Sequence, residues 1–302
     1  MADLILHHYW ESPYAEKIRR LMGMKGLAWR SVIIPMVMPK PDLTALTGGY
    51  RKTPVLQVGA DVYCDTDLIA RTIDRLHPEP SLFPNASGPL CLMLGAWQSE
   101  LFWLAVREVG MRAPVFPPGF LEDRSTMVEG GLSLERLIAD APAQREQLRA
   151  KLDLLDTHLR ERRFVLGERP SLADLSLFHP VYCMKIIPAT AEDLKAYPHL
   201  GAWLERVEAF GHGTYAEMQG ADAVEVARQA TPGAAPAHDP AEPNGLRPGD
   251  RVEIVHESFG QDPITGELVA SSVHEIAIAR RDARAGDVVV HLPREHYRVR
   301  RL

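Results

Sequence analysis

Residues 9–22, YWESPYAEKIRRLM, contain the sequence features that decide the fold of this chain. Ser12 and Pro13 are typical of a helix start, because serine is a preferred N-cap and proline fits the first helical position. The residues that follow with helical spacing on one face are Tyr14, Ile18, Leu21 and Met22. The short apolar run at 4–8, LILHH, is typical of a buried strand, so a strand followed by a helix is predicted.

Strand-like and helix-like segments continue to alternate up to residue 77. Residues 29–34 read as a second strand, and residues 54–58 and 62–64 flank a turn as a hairpin would. Asp65 and Thr66 then open another helix. A β-α-β unit followed by a hairpin and a helix predicts a small mixed sheet covered by helices, which we assign to a first domain over residues 1–77.

The next part of the chain, residues 88–230, reads as helices throughout. Ser171 and Asp174 have the spacing of a capping box and should start a core helix. Two more helices are predicted over 197–210 and 215–228. The fold class is therefore α+β, with an all-helical second domain.

The composition changes after residue 230. Residues 231–245, TPGAAPAHDPAEPNG, have the proline content of a linker, and 246–302 contain nine Arg, no Lys, four Asp and five Glu. Polar and apolar residues alternate in short runs there, with turns expected at 248–250, 264–266 and 285–287. This predicts a separately folding, small β-barrel-like domain that packs on the helical domain or on a partner subunit. An adapter, an extension of a dimer interface and a lid over a ligand cleft are all open roles for it.

Composition excludes several classes of protein. The 302 residues include 34 Lys plus Arg and 40 Asp plus Glu, a net charge of −6, so nucleic-acid binding is not expected. The chain start lacks a secretory signal and the apolar stretch 89–106 is interrupted by polar residues, so neither export nor a membrane span is expected. Three scattered cysteines and unclustered histidines predict no disulfide framework and no metal site. A cytoplasmic protein is expected.

Four segments in order resemble the glutathione transferase superfamily: 9–22, RKTPVL at 51–56, CDTDLIARTID at 64–74 and GERPSLADLSLF at 167–178. The resemblance covers about residues 3–225, and the first segment is most similar to the serine-type tau and zeta branches and to the cysteine-containing omega branch. It implies a thioredoxin-like N-terminal domain, a helical C-terminal domain, a homodimer, and glutathione as cosubstrate.

The resemblance implies that the Ser12 hydroxyl donates a hydrogen bond to the glutathione thiolate. A helix N-terminus favours an anion, and a hydrogen bond to an ionised acceptor is stronger than one between neutral groups. Tyr9 and Tyr14 are rival hydroxyls, and Ser12 read alone is only an N-cap. Serine cannot form a mixed disulfide, which disfavours thiol transfer as the reaction.

The resemblance also implies the rest of the glutathione site. Thr53 and Pro54 match a position where the peptide bond is cis and the backbone pairs with the cysteinyl part of the tripeptide. Asp65 and Thr66 match an acidic residue and a hydroxyl residue that hold the γ-glutamyl end, although this acidic residue is usually the longer glutamate.

Lys40, Arg51 and Lys52 are the cations expected near the glycyl carboxylate, and Lys52 matches the family position best. The function expected from these residues is transfer of the glutathione thiolate to a small apolar electrophile, as in detoxification. Related isomerisation, dehalogenation and peroxide reduction remain open. The alternative is a non-catalytic binding or dimerisation module whose β domain binds a partner.

Overall fold

The computed structural model describes residues 3–113, 116–233 and 235–302. Met1 and Ala2 at the start of the predicted first domain, Pro114 and Val115 in the predicted helical domain, and Ala234 in the predicted linker lie outside the described residues.

The N-terminal part has the predicted thioredoxin-like order. Its strands and helices are β1 (Ile5–His8), α1 (Pro13–Met24), β2 (Ala28–Ile33), α2 (Pro41–Thr47), β3 (Val55–Val58), β4 (Asp61–Cys64) and α3 (Thr66–Leu76). Strand β1 pairs parallel with β2 and antiparallel with β3, and β3 pairs antiparallel with β4. The α1 N-cap is Ser12, as the Ser-Pro pair predicts.

The helical part follows a single turn of 3₁₀ helix at Pro84–Ala86. It consists of α4 (Gly88–Arg112), α5 (Phe120–Ser125), α6 (Leu134–Leu159), α7 (Leu172–Lys185), α8 (Pro188–Leu194) and α9 (Pro198–Glu208). Helix α4 is long and apolar enough to cross a membrane by length and composition alone. In the fold it packs against α7 and α6, and four of its buried residues belong to the core of the helical part: Cys91, Leu101, Leu104 and Ala105.

The predicted helix over 215–228 is wrong in its first part. Residues Thr214–Glu217 form strand β5, which pairs parallel with β2 at the edge of the sheet, and helix α10 begins only at Gly220 (Gly220–Gln229). The Tyr215 ring packs on Trp29 with a centroid separation of 5.1 Å. The chain therefore returns from the helical part to the N-terminal sheet, which no local pattern indicates.

The C-terminal β region is confirmed, with five strands: β6 (Arg251–His256), β7 (Ile264–Ser271), β8 (Glu275–Asp282), β9 (Gly286–Pro293) and β10 (Tyr297–Arg301). The turn expected at 264–266 is wrong, because these residues begin β7. A side chain at Gly266 would bring Cβ to 2.7 Å from the Ala279 carbonyl oxygen, so glycine permits this close strand pairing.

The C-terminal strands continue the N-terminal sheet. Strand β9 pairs parallel with β4, giving one ten-stranded sheet in the order β10-β6-β7-β8-β9-β4-β3-β1-β2-β5. The C-terminal region does contact the predicted helical domain, where Phe259 bridges to Val128, but its main attachment is the edge of β4, which the sequence analysis did not predict. Pairing there satisfies the backbone groups of an edge that would otherwise be open. Packing on a partner subunit stays a prediction.

The two faces of the sheet cover different cores. One core joins α1 and α3 to the helical part. The other joins α2 and α10 to the C-terminal strands and mixes their side chains, for example Val62 with Ile276 and Val290. A region of this size buries little apolar surface alone, and here its interior is shared with the N-terminal part rather than formed separately.

Candidate functional site

The residues that the sequence analysis singles out lie at one edge of the sheet. In the strand register His7 lies opposite Val55, and Val55 lies opposite Cys64. The C-terminal ends of β1 and β4 and the N-terminal end of β3 therefore lie at the same edge of the sheet. Ser12 comes after the end of β1, Pro54 immediately precedes β3, and Asp65 and Thr66 come directly after β4. The topology therefore brings these residues to the same edge of the sheet.

Ser12 is buried at the N-terminus of α1. Its Oγ accepts a hydrogen bond from the Ala15 N–H at 3.1 Å, which is an N-cap contact. Because the oxygen uses a lone pair for this contact, its own proton stays available to donate. Capping and donation to an anion are therefore compatible roles for one hydroxyl.

Thr66 begins α3 and is held by a lysine that the sequence analysis did not single out. Lys17 is 1% exposed, and its Nζ donates to Thr66 Oγ1 at 3.3 Å and to Asp67 Oδ1 at 2.6 Å. Since Thr66 Oγ1 accepts from an ammonium, its hydroxyl proton is directed elsewhere. Asp65 caps this helix with φ +78° and accepts from the Asp67 N–H at 3.2 Å.

The peptide bond between Thr53 and Pro54 is cis, as expected. Lys40 is buried beside it and donates to Thr53 Oγ1 at 3.4 Å and to the Arg51 carbonyl oxygen at 3.0 Å. Burial, with the nearby charges of Arg124 and Arg51, lowers the pKa of Lys40 to about 8. The Lys40 ammonium is thus directed at the backbone and hydroxyl of the segment that precedes β3.

Arg51 connects three parts of the chain. Its guanidinium donates to Asp123 Oδ1 at 2.9 Å, to Thr126 Oγ1 at 3.0 Å and to Asp262 Oδ2 at 3.2 Å. Asp123 belongs to the helical part, and Asp262 lies between β6 and β7. Arg51 is therefore engaged in ion pairs, which leaves Lys52 as the neighbouring cation for a ligand.

Aromatic side chains pack against one another where the sheet edge meets the helical part. Tyr14 packs on Phe102 with a centroid separation of 4.6 Å, so it lies on the helix face. Trp103 meets Phe259, from the segment after β6, edge to face at 5.4 Å. The Tyr9 hydroxyl accepts from Arg124 Nη2 at 3.3 Å and keeps its own proton free, so it remains a rival to Ser12.

The cysteines are buried, and burial raises the pKa of the Cys183 thiol to about 12 and that of Cys64 as well. In the part of the chain that the structure describes, no cluster of three or more His, Cys, Asp or Glu side chains could hold a metal ion.

Two family models match this chain in the order of its folded parts. Residues 6–81 match the glutathione S-transferase N-terminal domain, and residues 133–206 match the glutathione S-transferase C-terminal domain. A GST-like protein from Pseudomonas syringae is 40% identical, with a TM-score of 0.85 over 100% of both chains. The chain belongs to the glutathione transferase superfamily.

More distant transferases share the fold alone. A glutathione S-transferase from Methylobacillus flagellatus with glutathione bound is 20% identical, with a TM-score of 0.53 over 69% of this chain and 99% of its own. The tau-class transferase of mango, Mangifera indica, is 18% identical with a TM-score of 0.52, over 68% of this chain and 89% of its own. No curated protein matches the chain. The match to the Pseudomonas protein extends over the whole of this chain and therefore includes the C-terminal strands. The matches to the two distant transferases cover only 69% and 68% of this chain.

Several residues at this edge carry no local sequence signal. Lys17 reads as one of several charged residues on α1, and nothing in its spacing indicates complete burial. His256, Gly260 and Tyr297 reach the edge only because β9 pairs with β4 and β10 pairs with β6, both contacts between distant parts of the chain.

Proposed function

We propose that this transferase binds glutathione at the sheet edge and activates its thiol for attack on a small apolar electrophile. The observation that carries the proposal is the Ser12 hydroxyl. It lies buried at the N-terminus of a 12-residue helix, with its lone pair engaged and its proton free. A hydroxyl in this position stabilises a thiolate more than a thiol, because its bond is charge-assisted only after ionisation. The helix dipole acts in the same direction.

The remaining residues suit the carboxylates and the ammonium of the tripeptide. Thr66, at the N-terminus of α3 and supported by Lys17, would bind the γ-glutamyl carboxylate, with Asp65 beside the adjacent ammonium. The Thr53 backbone before Pro54 would pair with the cysteinyl part, as an added strand does. Lys52 would bind the glycyl carboxylate. Lys40 would hold the Thr53 segment in place through its hydrogen bonds to Thr53 Oγ1 and to the Arg51 carbonyl oxygen.

The electrophile would bind between the sheet edge and the helical part, near Phe102 and Trp103. We also propose that the protein is a cytoplasmic homodimer. Its interface would include the exposed apolar face of α4, where Leu90 is 45% and Met93 is 65% exposed. Burial of such side chains is the usual means of stabilising an interface between subunits.

Replacing Ser12 with alanine is expected to raise the pKa of the bound glutathione thiol by about one to two units, because a charge-assisted hydrogen bond contributes about 1.5–3 kcal/mol. Turnover should fall with it, and glutathione affinity at a pH where the thiol is neutral should change little. Thiolate absorbance of the complex, titrated against pH, measures the shift.

Two further variants separate the hydroxyl from the helix cap. Ser12→Thr keeps the hydroxyl and should keep the low thiol pKa. Ser12→Gly keeps most of the capping preference, at a cost of a few tenths of a kcal/mol, and should behave like Ser12→Ala. If all four curves coincide, Tyr9 or a backbone N–H holds the sulfur. If glutathione binds without turnover of any electrophile, the binding-module alternative replaces the enzyme.

Replacing Thr66 with valine is expected to weaken glutathione binding roughly tenfold, since it removes a hydrogen bond to a charged group while keeping the side-chain shape. Thr72→Val is the matched control, because Thr72 is also buried on α3 but lies more than one turn beyond Thr66. Calorimetric titration with glutathione measures both. Equal affinities of the two folded variants would remove Thr66 from the site.

A further inference from the structure

The C-terminal strands reach the edge of the sheet where the proposed ligand site lies. Strand β9 runs parallel to β4, with His291 opposite Tyr63, so both strands end at that edge. The segment from β9 then leads to Tyr297, which pairs with His256 at the end of β6. The residues that follow β6 contact the helical part, where the Gly260 N–H donates to the Met127 carbonyl oxygen at 2.8 Å.

Lys52 lies against these C-terminal residues. Its Nζ is 4.9 Å from the ring centroid of Tyr297 and 5.6 Å from that of Tyr50, over the face of each ring. A side chain at Gly260, where φ is +69°, would place Cβ 3.3 Å from Lys52 Cγ. The stem and the ammonium of this lysine are therefore both positioned by the C-terminal region.

The half-buried ammonium of Lys52 differs from those of the three buried lysines, of which Lys40 donates to the Arg51 carbonyl oxygen and to Thr53 Oγ1. Lys17 and Lys25 pair with Asp67 and Asp74. Within residues 3–113, 116–233 and 235–302, Lys52 Nζ has no ion pair and no hydrogen bond, so its donors are available. Burial lowers the pKa of Lys52 to about 8, and the negative charge of Asp65 opposes this shift, so Lys52 is mostly charged at neutral pH.

His256 adds no competing positive charge beside Lys52. Its Nδ1 accepts from the backbone N–H groups of Ser258 and Phe259 at 3.2 and 3.1 Å, which assigns the proton of the neutral ring to Nε2. Burial, with the positive charge of Lys52 and the nearby His296, lowers the pKa of His256 to about 3. The C-terminal region thus presents neutral aromatic rings to a cation that forms no ion pair in the part of the chain that the structure describes.

We propose that the C-terminal strands build the carboxylate-binding end of the ligand site, with Tyr297 as the positioning residue that holds the Lys52 ammonium toward the ligand through the face of its ring. This inference rests on the proposed glutathione binding and names the part of the tripeptide concerned. A cation over an aromatic face keeps its N–H donors, whereas a carboxylate partner would neutralise it. The region therefore selects for a ligand with a carboxylate at the glycyl end.

The test compares two ligands, glutathione and γ-glutamylcysteine, which lacks the glycyl residue. Tyr297→Leu removes the ring and should weaken glutathione binding roughly tenfold, with little change for γ-glutamylcysteine. Tyr297→Phe keeps the ring, removes only the hydroxyl that faces the Tyr50 hydroxyl, and should bind both ligands as the wild type does. Lys52→Met should reproduce the effect of Tyr297→Leu. Calorimetric titration at pH 7 measures all affinities.

A second series keeps the fold intact. Phenylalanines with one and three ring fluorines at position 297 have nearly the same shape but a progressively weaker negative face, so glutathione affinity should fall stepwise with fluorination. Flat affinity across this series, or equal losses for both ligands in Tyr297→Leu, would overturn the role of Tyr297 in holding Lys52. A wild-type protein that binds neither ligand would instead reject the glutathione site, and this inference with it.

Discussion

Replacing Asp174 with alanine is expected to lower the free energy of unfolding by about 3–5 kcal/mol, a large share of the 5–15 kcal/mol typical of a folded domain. The carboxylate is fully buried and accepts from the Val165 N–H at 2.7 Å, from the Ser171 N–H at 2.9 Å, from Ser171 Oγ at 2.8 Å and from Trp203 Nε1 at 2.9 Å. Alanine leaves these buried donors without an acceptor, which costs more than the bonds themselves contribute.

The exposed N-cap of α6 provides the matched control for Asp174. Ser133 Oγ accepts from the Arg136 N–H at 3.2 Å, and Ser133→Ala should lower the free energy of unfolding by only about 1 kcal/mol. Asp174→Asn keeps one acceptor oxygen and should lie between the two. Urea unfolding followed by tryptophan fluorescence measures these differences. Equal stability of Asp174→Ala and Ser133→Ala would show that burial of this network adds nothing to the cap.

Elements whose ends are encoded by neighbouring residues were predicted well from the sequence. The start of α1 depends on Ser12 and Pro13, and the start of α7 on Ser171 and Asp174, and both caps form as the spacing predicts. The hairpin of β3 and β4 follows from two apolar runs around a glycine. In each case the deciding hydrogen bonds join residues that are close along the chain, so the pattern contains the physical cause.

Elements whose place depends on distant partners could not be predicted. The residues of β5 are compatible with a helix, and they become a strand because the edge of β2 offers hydrogen bonds. The alternation of polar and apolar residues in the C-terminal region predicts strands, but it does not predict which sheet edge those strands join. Any open edge can form the same backbone hydrogen bonds. The contact between Lys52 and Tyr297 follows from that choice of edge, so only the N-terminal part of the proposed site could be predicted from the sequence.

The side chain of His291 favours pairing of the C-terminal strands with the edge of β4. This residue is 1% exposed and stacks on Tyr63 with a centroid separation of 4.3 Å. Its ring lies between two carboxylates, with Nε2 3.0 Å from Asp61 Oδ1 on β4 and Nδ1 2.6 Å from Glu275 Oε1 on β8. Burial alone would lower the pKa of His291, but the hydrogen bonds and charges of Asp61 and Glu275 outweigh it and raise the pKa above 6.5.

Replacing His291 with phenylalanine is expected to lower the free energy of unfolding at pH 6 by about 2–3 kcal/mol, because it leaves two partly buried carboxylates facing each other across an apolar ring. The variant keeps the ring that stacks on Tyr63, so the loss reports the ion pairs rather than packing. His274→Phe is the matched control, since His274 is exposed just before β8, and it should change stability by less than about 0.5 kcal/mol. Urea unfolding at fixed pH values measures both.

The pH dependence of the His291 effect has a definite sign. A group whose pKa is higher in the folded than in the unfolded protein contributes its full stability below the unfolded value. That contribution is lost as the pH rises through the folded value, so the stability difference between wild type and His291→Phe should be largest at pH 6 and shrink toward pH 9. Glu275→Gln keeps an acceptor without the charge, so it should move this decline to lower pH. A difference that stays constant from pH 6 to pH 9 would mean that the pKa of His291 is the same in the folded and unfolded protein, and a difference that grows above pH 6 would mean that His291 is neutral in the folded protein; either result would contradict a raised pKa.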